Sequence, residues 1–433
     1  MKKLMILGLA VLVLAALMGL VAVGCGGEET TTTAAPPTTA GPATTASPAT
    51  TAGPATTAAP ASTDTTAAAT GGTIKIGALL DYTGPVAFLG PIFEMGIKQA
   101  LEEANYTVAG KKIELIIEDS ATSVDVAVTK AKKLVEQDGV KIIIGPLMGD
   151  AHLALSPYTA EKGVLITTLI NGMWETVGKG NYLVYPTTVD AQTYPFGTYC
   201  YEKLGYKTAV VVAADYAGKR GYAAGWINGF KAAGGQVIQE LYPPVGNADY
   251  SPYISQIKDS DVVMYALEGP DAVAKFIYQY SQGGKSKPLV TITQADDYSP
   301  QMLNQLKDTI VGIKGQSTYT WKLDNPENKA FVAAITPKWD NLPPMPEHQN
   351  AYTLTKAILA GLEKTGGDDT LAKLFAAITS SELNTPAGLL KWDPSGVAIC
   401  PMYVTTAEKV GDNYEISAPL DTVPEVLDVR LAK

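Results

Sequence analysis

Glycine-rich, nearly uncharged loops follow short apolar runs in the first half of the chain. One loop extends from Gly145 to His152 and contains Gly149, which stands just before a helical pattern. Backbone amides at the start of a helix bind a carboxylate or another small anion when no side chain blocks their approach. The sequence therefore predicts an anion-binding wall at this loop, although the same glycines could simply turn the chain.

Acidic and aromatic residues occupy the corresponding loops in the second half of the chain. Tyr216, Glu268 and Asp296 each follow a different apolar run. Carboxylates and rings that face amide donors would suit a small zwitterion or a polar amide. Acids that follow strands also often cap the next helix, and we expect at least two of these five acids to do only that: Asp215, Glu268, Asp271, Asp296 and Asp297.

The sequence lacks the signatures of common catalytic and metal sites. It has no G-x-S-x-G, H-E-x-x-H or Walker motif, and no G-x-G-x-x-G after a strand. Only His152 and His348 could serve as an imidazole base or ligand. We therefore expect no catalysis, no metal and no cofactor. A hydrolase that uses Asp296 and Asp297 is the enzymatic alternative, but adjacent residues of one loop seldom flank a scissile bond.

Alternating apolar runs and helical patterns must position these loops. Runs rich in Val and Ile, such as those from Ile74 to Leu80 and from Val262 to Leu267, are typical of buried parallel strands. Between such runs, apolar residues recur at helical spacing, for example behind Ser123, a predicted N-cap. The pattern predicts an α/β protein with two doubly wound parallel-sheet lobes, because one sheet would not easily hold all of these strands.

The beginning of the sequence indicates export. Lys2 and Lys3 precede an apolar run that ends at Cys25, which predicts a signal peptide over residues 1–24. Ala22-Val23-Gly24-Cys25 resembles a bacterial lipobox, and this resemblance implies cleavage before Cys25 and a lipid on its sulfur. The alternative is an uncleaved membrane helix, because the run is long enough to span a bilayer.

Residues 25–72 are predicted to be a disordered linker rich in Thr, Ala and Pro. From Glu28 to Gly72 there is no Leu, Ile, Val, Phe, Tyr, Trp or Met, so nothing there can offset the entropy lost on ordering. Proline and threonine favour an extended backbone. We expect a spacer that tethers the rest of the chain to the cell membrane, with threonines that are either unmodified or glycosylated.

Composition also limits the partners and the redox chemistry. The formal net charge is −10 and the lysines are scattered, so nucleic acid is not an expected partner. Apart from Cys25, the chain contains only Cys200 and Cys400. These two could pair in an oxidising compartment, but two buried free thiols are the expected state.

Several segments together resemble the type I periplasmic binding proteins, in the leucine/isoleucine/valine-binding branch that serves ABC importers. The resemblance spans about Thr73 to Tyr403 and rests on IKIGALLDYTGPVAFLG, IELIIEDSATSVDVAVTKAKKLVEQDGVKIIIGP, EKGVLITT, GYKTAVVVAADYAG with GFKAAGGQV, and GLLKWDPSGVAICPMYV. It implies two lobes joined by three crossings and a cleft that closes on a small solute, such as an amino acid or an amide. It also implies delivery of that solute to an ABC permease in the membrane.

The resemblance implies ligand-binding residues as well. The ligand carboxylate would be held at Gly149 and at Ile170 with Asn171 or Gly172. Gly149 stands where the family has a serine, and His152 and Asn171 could replace that lost donor. In the second lobe the ligand ammonium would meet Tyr216, Glu268 and Asp296, while the apolar side of the site would be lined by Phe88, Met148 and Trp174.

We accordingly assign residues 73–188 and 317–388 to an N-terminal lobe, and residues 189–316 and 389–433 to a C-terminal lobe. The expected function is capture of a small polar solute outside the cytoplasm and delivery to a permease. A sensor that presents its closed form to a membrane receptor would use the same hinge and tether, so this alternative stays open. A periplasmic hydrolase is the third alternative.

Overall fold

A computed structural model describes residues 71–292, 298 and 300–431 of the chain. The predicted signal peptide, Cys25, nearly all of the linker and Asp296 lie outside these residues. Two α/β lobes with mostly parallel sheets are present, which confirms the predicted fold class. No helix within the described ranges combines the length and hydrophobicity needed to cross a bilayer.

The first lobe is built on six strands: β1 (Gly71–Leu80), β2 (Thr107–Val108), β3 (Lys111–Asp119), β4 (Ile142–Ile144), β5 (Leu165–Thr167) and β6 (Tyr182–Leu183). Their order in the sheet is β2-β3-β1-β4-β5-β6. Neighbouring strands are parallel except for β2 and β3. Three helices follow strands of this sheet: α1 (Leu89–Glu103), α2 (Val124–Glu136) and α3 (Gly149–Lys162).

Alternate residues of the strands point to opposite faces of this first sheet, and both faces are covered. Ile76 and Ile144 pack on one side in a core with α1, whereas Leu79 and Ile143 pack on the other side with α2 and α3. Helix α2 begins behind Ser123, whose hydroxyl accepts a hydrogen bond from the Val126 amide at 3.5 Å. The predicted N-cap is therefore confirmed.

The second sheet has ten strands: β7 (Thr208–Ala213), β8 (Gln236–Leu241), β9 (Val262–Ala266), β10 (Leu289–Thr291), β11 (Lys314–Ser317), β12 (Leu383–Thr385), β13 (Gly388–Trp392), β14 (Ala398–Val410), β15 (Asn413–Ile416) and β16 (Asp421–Val426). The order is β12-β13-β14-β11-β10-β9-β7-β8, with β15 and β16 paired to β14. Strands β7 to β11 run parallel, and β14 is antiparallel to β11.

Eight more helices are described: α4 (Val189–Glu202), α5 (Ala217–Ala232), α6 (Ser251–Gln256), α7 (Gly269–Gln282), α8 (Pro300–Leu306), α9 (Pro326–Ile335), α10 (Pro346–Lys364) and α11 (Leu371–Thr379). Helices α4 and α5 cover one face of the second sheet through Phe196, Trp226 and Phe230. The other face packs against α6, α7 and α8. Helices α10 and α11 contribute Leu354, Ile358 and other residues to the first-lobe core.

The packing of strands β13 and β14 indicates where the chain passes between the lobes. Leu390, Trp392, Ala398 and Cys400 pack in the first-lobe core, while the later part of β14 pairs with β11 in the second sheet. The assigned lobe boundaries stay a prediction, and we propose that the last crossing lies within β14 rather than at residue 389.

Both remaining cysteines have the expected state. Cys200 and Cys400 are buried free thiols, which confirms the interpretation drawn from the sequence. Burial raises the pKa of the Cys400 thiol to about 12. The thiol of Cys400 donates to the carbonyl of Pro186 at 3.1 Å, so it acts as a small buried packing group near the first crossing.

Candidate functional site

Helix α3 directs its N-terminus towards the carboxyl edge of the first sheet, directly after β4. The carbonyl of Met148, the N-cap residue, accepts hydrogen bonds from the amides of Ala151 and His152 at 3.1 and 3.2 Å. Gly149, the first residue of the helix, is half-buried, and a Cβ at this position would lie 3.1 Å from the Sδ of Met173. The predicted anion-binding wall is thus the N-terminus of α3, an amide wall bordered by the thioether of Met173.

His152 lies beneath that loop. Its side chain has no exposed surface, and its Nε2 lies 2.7 Å from the carbonyl of Pro146. Burial lowers the pKa of the imidazole to about 4, so the ring is neutral at pH 7 and Nε2 carries the proton donated to Pro146. In this structure His152 therefore positions the loop. Its side chain is not accessible to a ligand, although the predicted role as a ligand contact would require that.

The loop that carries Phe88 is held by a carboxylate of the neighbouring strand. Asp119, at the end of β3, accepts hydrogen bonds from the Tyr82 amide at 2.9 Å and from the Thr83 hydroxyl at 2.7 Å. Burial opposes the charge of Asp119, but these hydrogen bonds outweigh it and keep the pKa of the carboxyl below its usual value. Phe88 itself stands at the N-cap of α1 with 51% of its surface exposed.

Asn171 joins the two lobes. It follows β5 in the first lobe, next to Ile170, which packs against the first-lobe core. Its side-chain amide donates hydrogen bonds to the carbonyl oxygen of Gln192 on α4 and to the hydroxyl of Tyr222 on α5. All three polar side chains are buried, and the Oδ1 of Asn171 has no hydrogen-bond partner among the described residues. The predicted carboxylate-binding residue is therefore also an interlobe contact.

Tyr216 and Glu268 are in contact at the carboxyl edge of the second sheet. They follow β7 and β9, which are parallel neighbours, so the two loops lie side by side. The Tyr216 hydroxyl donates a hydrogen bond to the Glu268 Oε2. Glu268 occupies the N-cap position of α7, but its side chain makes no capping hydrogen bond. Glu268 is therefore not one of the acids that only cap a helix, and its carboxylate is turned towards other polar groups instead.

Lys219, in the first turn of α5, completes this group. Its ammonium lies 3.9 Å from the Glu268 Oε2 and 5.7 Å from the centre of the Tyr222 ring, and only 5% of the residue is exposed. A buried lysine is unusual because an ammonium loses much hydration free energy unless it is paired. Contacts between side chains thus run from Asn171 in the first lobe through Tyr222 and Lys219 to Glu268 in the second.

The structure brings some of the predicted residues together and leaves others apart. Met148 and Gly149 stand at the α3 terminus, and Tyr216 bonds to Glu268, whereas Asp296 lies outside the described residues. Trp174, expected to line the apolar side, stacks on Arg430 instead. Sequence patterns do not identify Gln192, Tyr222 and Lys219 as site residues. The one available signal was the position of Lys219 directly after the loop predicted at residues 215–218.

Comparisons with known proteins identify relatives with the same fold. A family model described as periplasmic binding protein matches residues 73–412. The Leu/Ile/Val-binding protein homolog 6 of Brucella melitensis is 26% identical over 365 residues, which cover 81% of this chain and 91% of the relative. The chain is also similar to a solved ABC transporter substrate-binding protein from Sphaerobacter thermophilus, with a TM-score of 0.77, 26% identity, and coverage of 82% of this chain and 99% of the other.

A second solved structure carries a ligand. It is a solute-binding protein of an ABC transporter from Rhodopseudomonas palustris in complex with 3,4-dihydroxybenzoic acid, with a TM-score of 0.75 and 25% identity over 83% of this chain and 99% of the other. Both solved structures are named as solute- or substrate-binding proteins of ABC transporters, and the Brucella relative is named as a Leu/Ile/Val-binding protein homolog. With the family match over most of its length and two lobes of this topology, the chain belongs to the type I periplasmic binding protein family, in its branched-chain amino acid branch.

Proposed function

We propose that this protein is an extracytoplasmic substrate-binding lipoprotein of an ABC importer and captures a small polar solute between its lobes. The contact of Asn171 with Gln192 and Tyr222 carries the proposal, because it joins a first-lobe loop to two second-lobe helices at the carboxyl edges of both sheets. Loops at these edges are where open α/β sheets bind ligands. A branched-chain or other amino acid, an amide, and an organic acid are the candidate solutes.

The surroundings of this contact support a ligand with a carboxylate. The N-terminus of α3 offers backbone amides and the positive end of a helix dipole, and Gly149 adds no side chain that would block them. On the second lobe, Lys219, Tyr216 and Glu268 supply a cation, a hydroxyl and a carboxylate. We infer that a solute held by both walls stabilises the closed arrangement, which a permease then recognises.

Solute binding can be tested by thermal shift and small-angle scattering. Purified protein would be screened against amino acids, amides and aromatic acids, because a ligand that binds only the native state raises the apparent melting temperature. The best compound should also reduce the radius of gyration and be recovered chemically unchanged. Superimposable scattering curves with and without that compound, or its conversion to a product, would contradict the proposal.

The lipid anchor is a separate part of the proposal and rests on the sequence around Cys25. Export with lipidation predicts that the protein fractionates with membranes and incorporates a labelled fatty acid. Cys25→Ala should abolish the label and release an exported protein from the membrane fraction. An unlabelled wild-type protein that stays in the membrane fraction would favour the uncleaved helix instead.

A further inference from the structure

Lys219 differs from the basic residue that follows it. Arg220 pairs with Asp215 at the surface, where both side chains keep nearly half of their exposure. The side chain of Lys219 is 6% exposed, and the Glu268 carboxylate beside it is 35% exposed. A buried ammonium is costly to keep unless a paired charge offsets its lost hydration. Lys219 is therefore a buried cation of the second lobe, unlike the surface ion pair beside it.

The position of Lys219 places it next to the interlobe contact. Its ammonium lies 5.7 Å from the centre of the Tyr222 ring, and the hydroxyl of that ring accepts the hydrogen bond from Asn171. On its other side are the Glu268 carboxylate and the Tyr216 hydroxyl bonded to it. A solute that reaches from the α3 terminus towards the second lobe would meet this group.

The charges of this group fit a hydroxyl better than an ammonium. The Glu268 carboxylate already lies 3.9 Å from a fixed cation, so a ligand ammonium bound there would be repelled by Lys219 while competing for the same acid. A hydroxyl can accept from the lysine ammonium and donate to the carboxylate at the same time. Tyr216 shows that Glu268 accepts a hydrogen bond from a phenol.

We infer that Lys219 is a solute contact of the second lobe and that it selects a hydroxylated organic acid over an α-amino acid. The inference rests on the proposed function and names the solute class for the same site. The carboxylate of such an acid would occupy the α3 terminus, and its hydroxyl would lie between Lys219 and Glu268. The expected role of Glu268 as an ammonium partner is replaced by that of a hydroxyl acceptor.

The test measures binding of three probes by calorimetry: 3,4-dihydroxybenzoate, benzoate, which lacks the hydroxyls, and leucine. We expect the wild-type protein to bind 3,4-dihydroxybenzoate most tightly. Lys219→Met should weaken that probe at least about tenfold, the usual effect of losing a hydrogen bond to a charged group, and should change benzoate much less. Lys231→Met, which removes an exposed cation from the same helix, is the matched control and should change neither.

A double variant guards against misfolding. If Lys219→Met leaves the half-buried Glu268 without its cation and the protein does not fold, Lys219→Met with Glu268→Gln removes both charges together. This variant should fold and lose the preference for 3,4-dihydroxybenzoate over benzoate. Tightest wild-type binding of leucine, or an unchanged preference in the variants, overturns the role of Lys219 but leaves solute capture intact. Failure of the wild-type protein to bind any solute in the wider screen overturns the proposed function itself.

Discussion

The guanidinium carbon of Arg430 lies 3.8 Å from the centre of the Trp174 ring. Trp174 belongs to the first-lobe loop that also carries Asn171, whereas Arg430 follows β16, a strand of the second sheet. The same guanidinium donates hydrogen bonds to Asp428 and to Asp190 in the first turn of α4. Arg430 thus links Asp190, just after the first crossing between the lobes, to Trp174 in the loop of the candidate site.

Removal of this guanidinium should destabilise the protein. Asp428 is only 1% exposed, and Arg430→Ala would leave its carboxylate with the Thr188 hydroxyl as a remaining partner. Since breaking a buried ion pair leaves an uncompensated charge, and since Arg430 is itself partly exposed, we expect a loss of roughly 2–3 kcal/mol in the free energy of unfolding. Urea titration followed by fluorescence would measure it.

Arg220→Ala is the matched control for that experiment. Arg220 also pairs with an acid, Asp215, and also lies 3.8 Å from a ring centre, that of Tyr242, but its ion pair is at the surface. Its removal should therefore cost much less stability than the removal of Arg430. Equal losses for the two variants would show that the C-terminal contact is an ordinary surface pair.

The contact between Asn171 and Tyr222 should contribute to lobe closure. Tyr222→Phe removes the hydroxyl that accepts from Asn171 while keeping the ring, so an interlobe hydrogen bond is lost and buried groups are left unsatisfied. We expect solute affinity to fall about fivefold, because one hydrogen bond contributes about 1 kcal/mol to the closed arrangement. Calorimetry with the best solute from the screen would measure the change.

Tyr158→Phe provides the comparison for Tyr222→Phe. The Tyr158 hydroxyl donates to Glu136 at the surface of the first lobe, near the end of α3 opposite the candidate site. Its removal should leave solute affinity unchanged. If both variants bind the solute as tightly as the wild-type protein, the Asn171 contact does not contribute to closure.

Sequence patterns predict best the strands that are buried on both faces of a sheet. The run from Val210 to Val212 is apolar at every position because helices cover both sides of β7, and such runs identify parallel strands without any alignment. Ser123 was recognisable because a capping hydroxyl acts within its own helix. In each case the interactions that define the element are local or follow from composition.

Strand β11 was missed because its stabilising contacts come from distant residues. Its sequence is Lys-Gly-Gln-Ser, without a large apolar side chain, yet it lies between β10 and β14. Ser317 meets the hydroxyl of Thr405 at 3.3 Å, so its polar side chain is satisfied within the sheet. Lys219 was missed for a similar reason, because a lysine after a loop usually faces solvent. Only the fold shows that it is buried beside Glu268.

The neutral histidine beneath the α3 loop predicts a pH dependence of stability. The pKa of His152 falls from 6.5 to about 4 on folding, so between these values the unfolded chain binds a proton that the folded protein does not. Stability should therefore fall as the pH is lowered from about 6.5 to 4, by about 3 kcal/mol from this residue. Chemical unfolding at pH 7 and pH 4 would measure the loss.

His152→Gln isolates that contribution. Glutamine does not titrate in this range and can still donate to the Pro146 carbonyl, so the variant should lose about 3 kcal/mol less than the wild-type protein between pH 7 and pH 4. The other histidine, His348, also has a lowered pKa, of about 3, because it is buried. It is present in both proteins, so its contribution cancels in the difference. Identical pH profiles would mean that His152 titrates normally in the folded state.

Gly149 offers the most direct test of the amide wall. A leucine at this position places a side chain beside Met173, a flexible residue 3.1 Å from the added Cβ, so the ligand-free protein should keep a melting temperature near that of the wild-type protein. The same side chain would cover the first amides of α3, and solute binding should be lost. Ala160→Leu, an exposed position near the other end of the same helix, should preserve both properties. If Gly149→Leu binds the solute normally, the carboxylate is not held at the α3 terminus, whatever solute the lobes enclose.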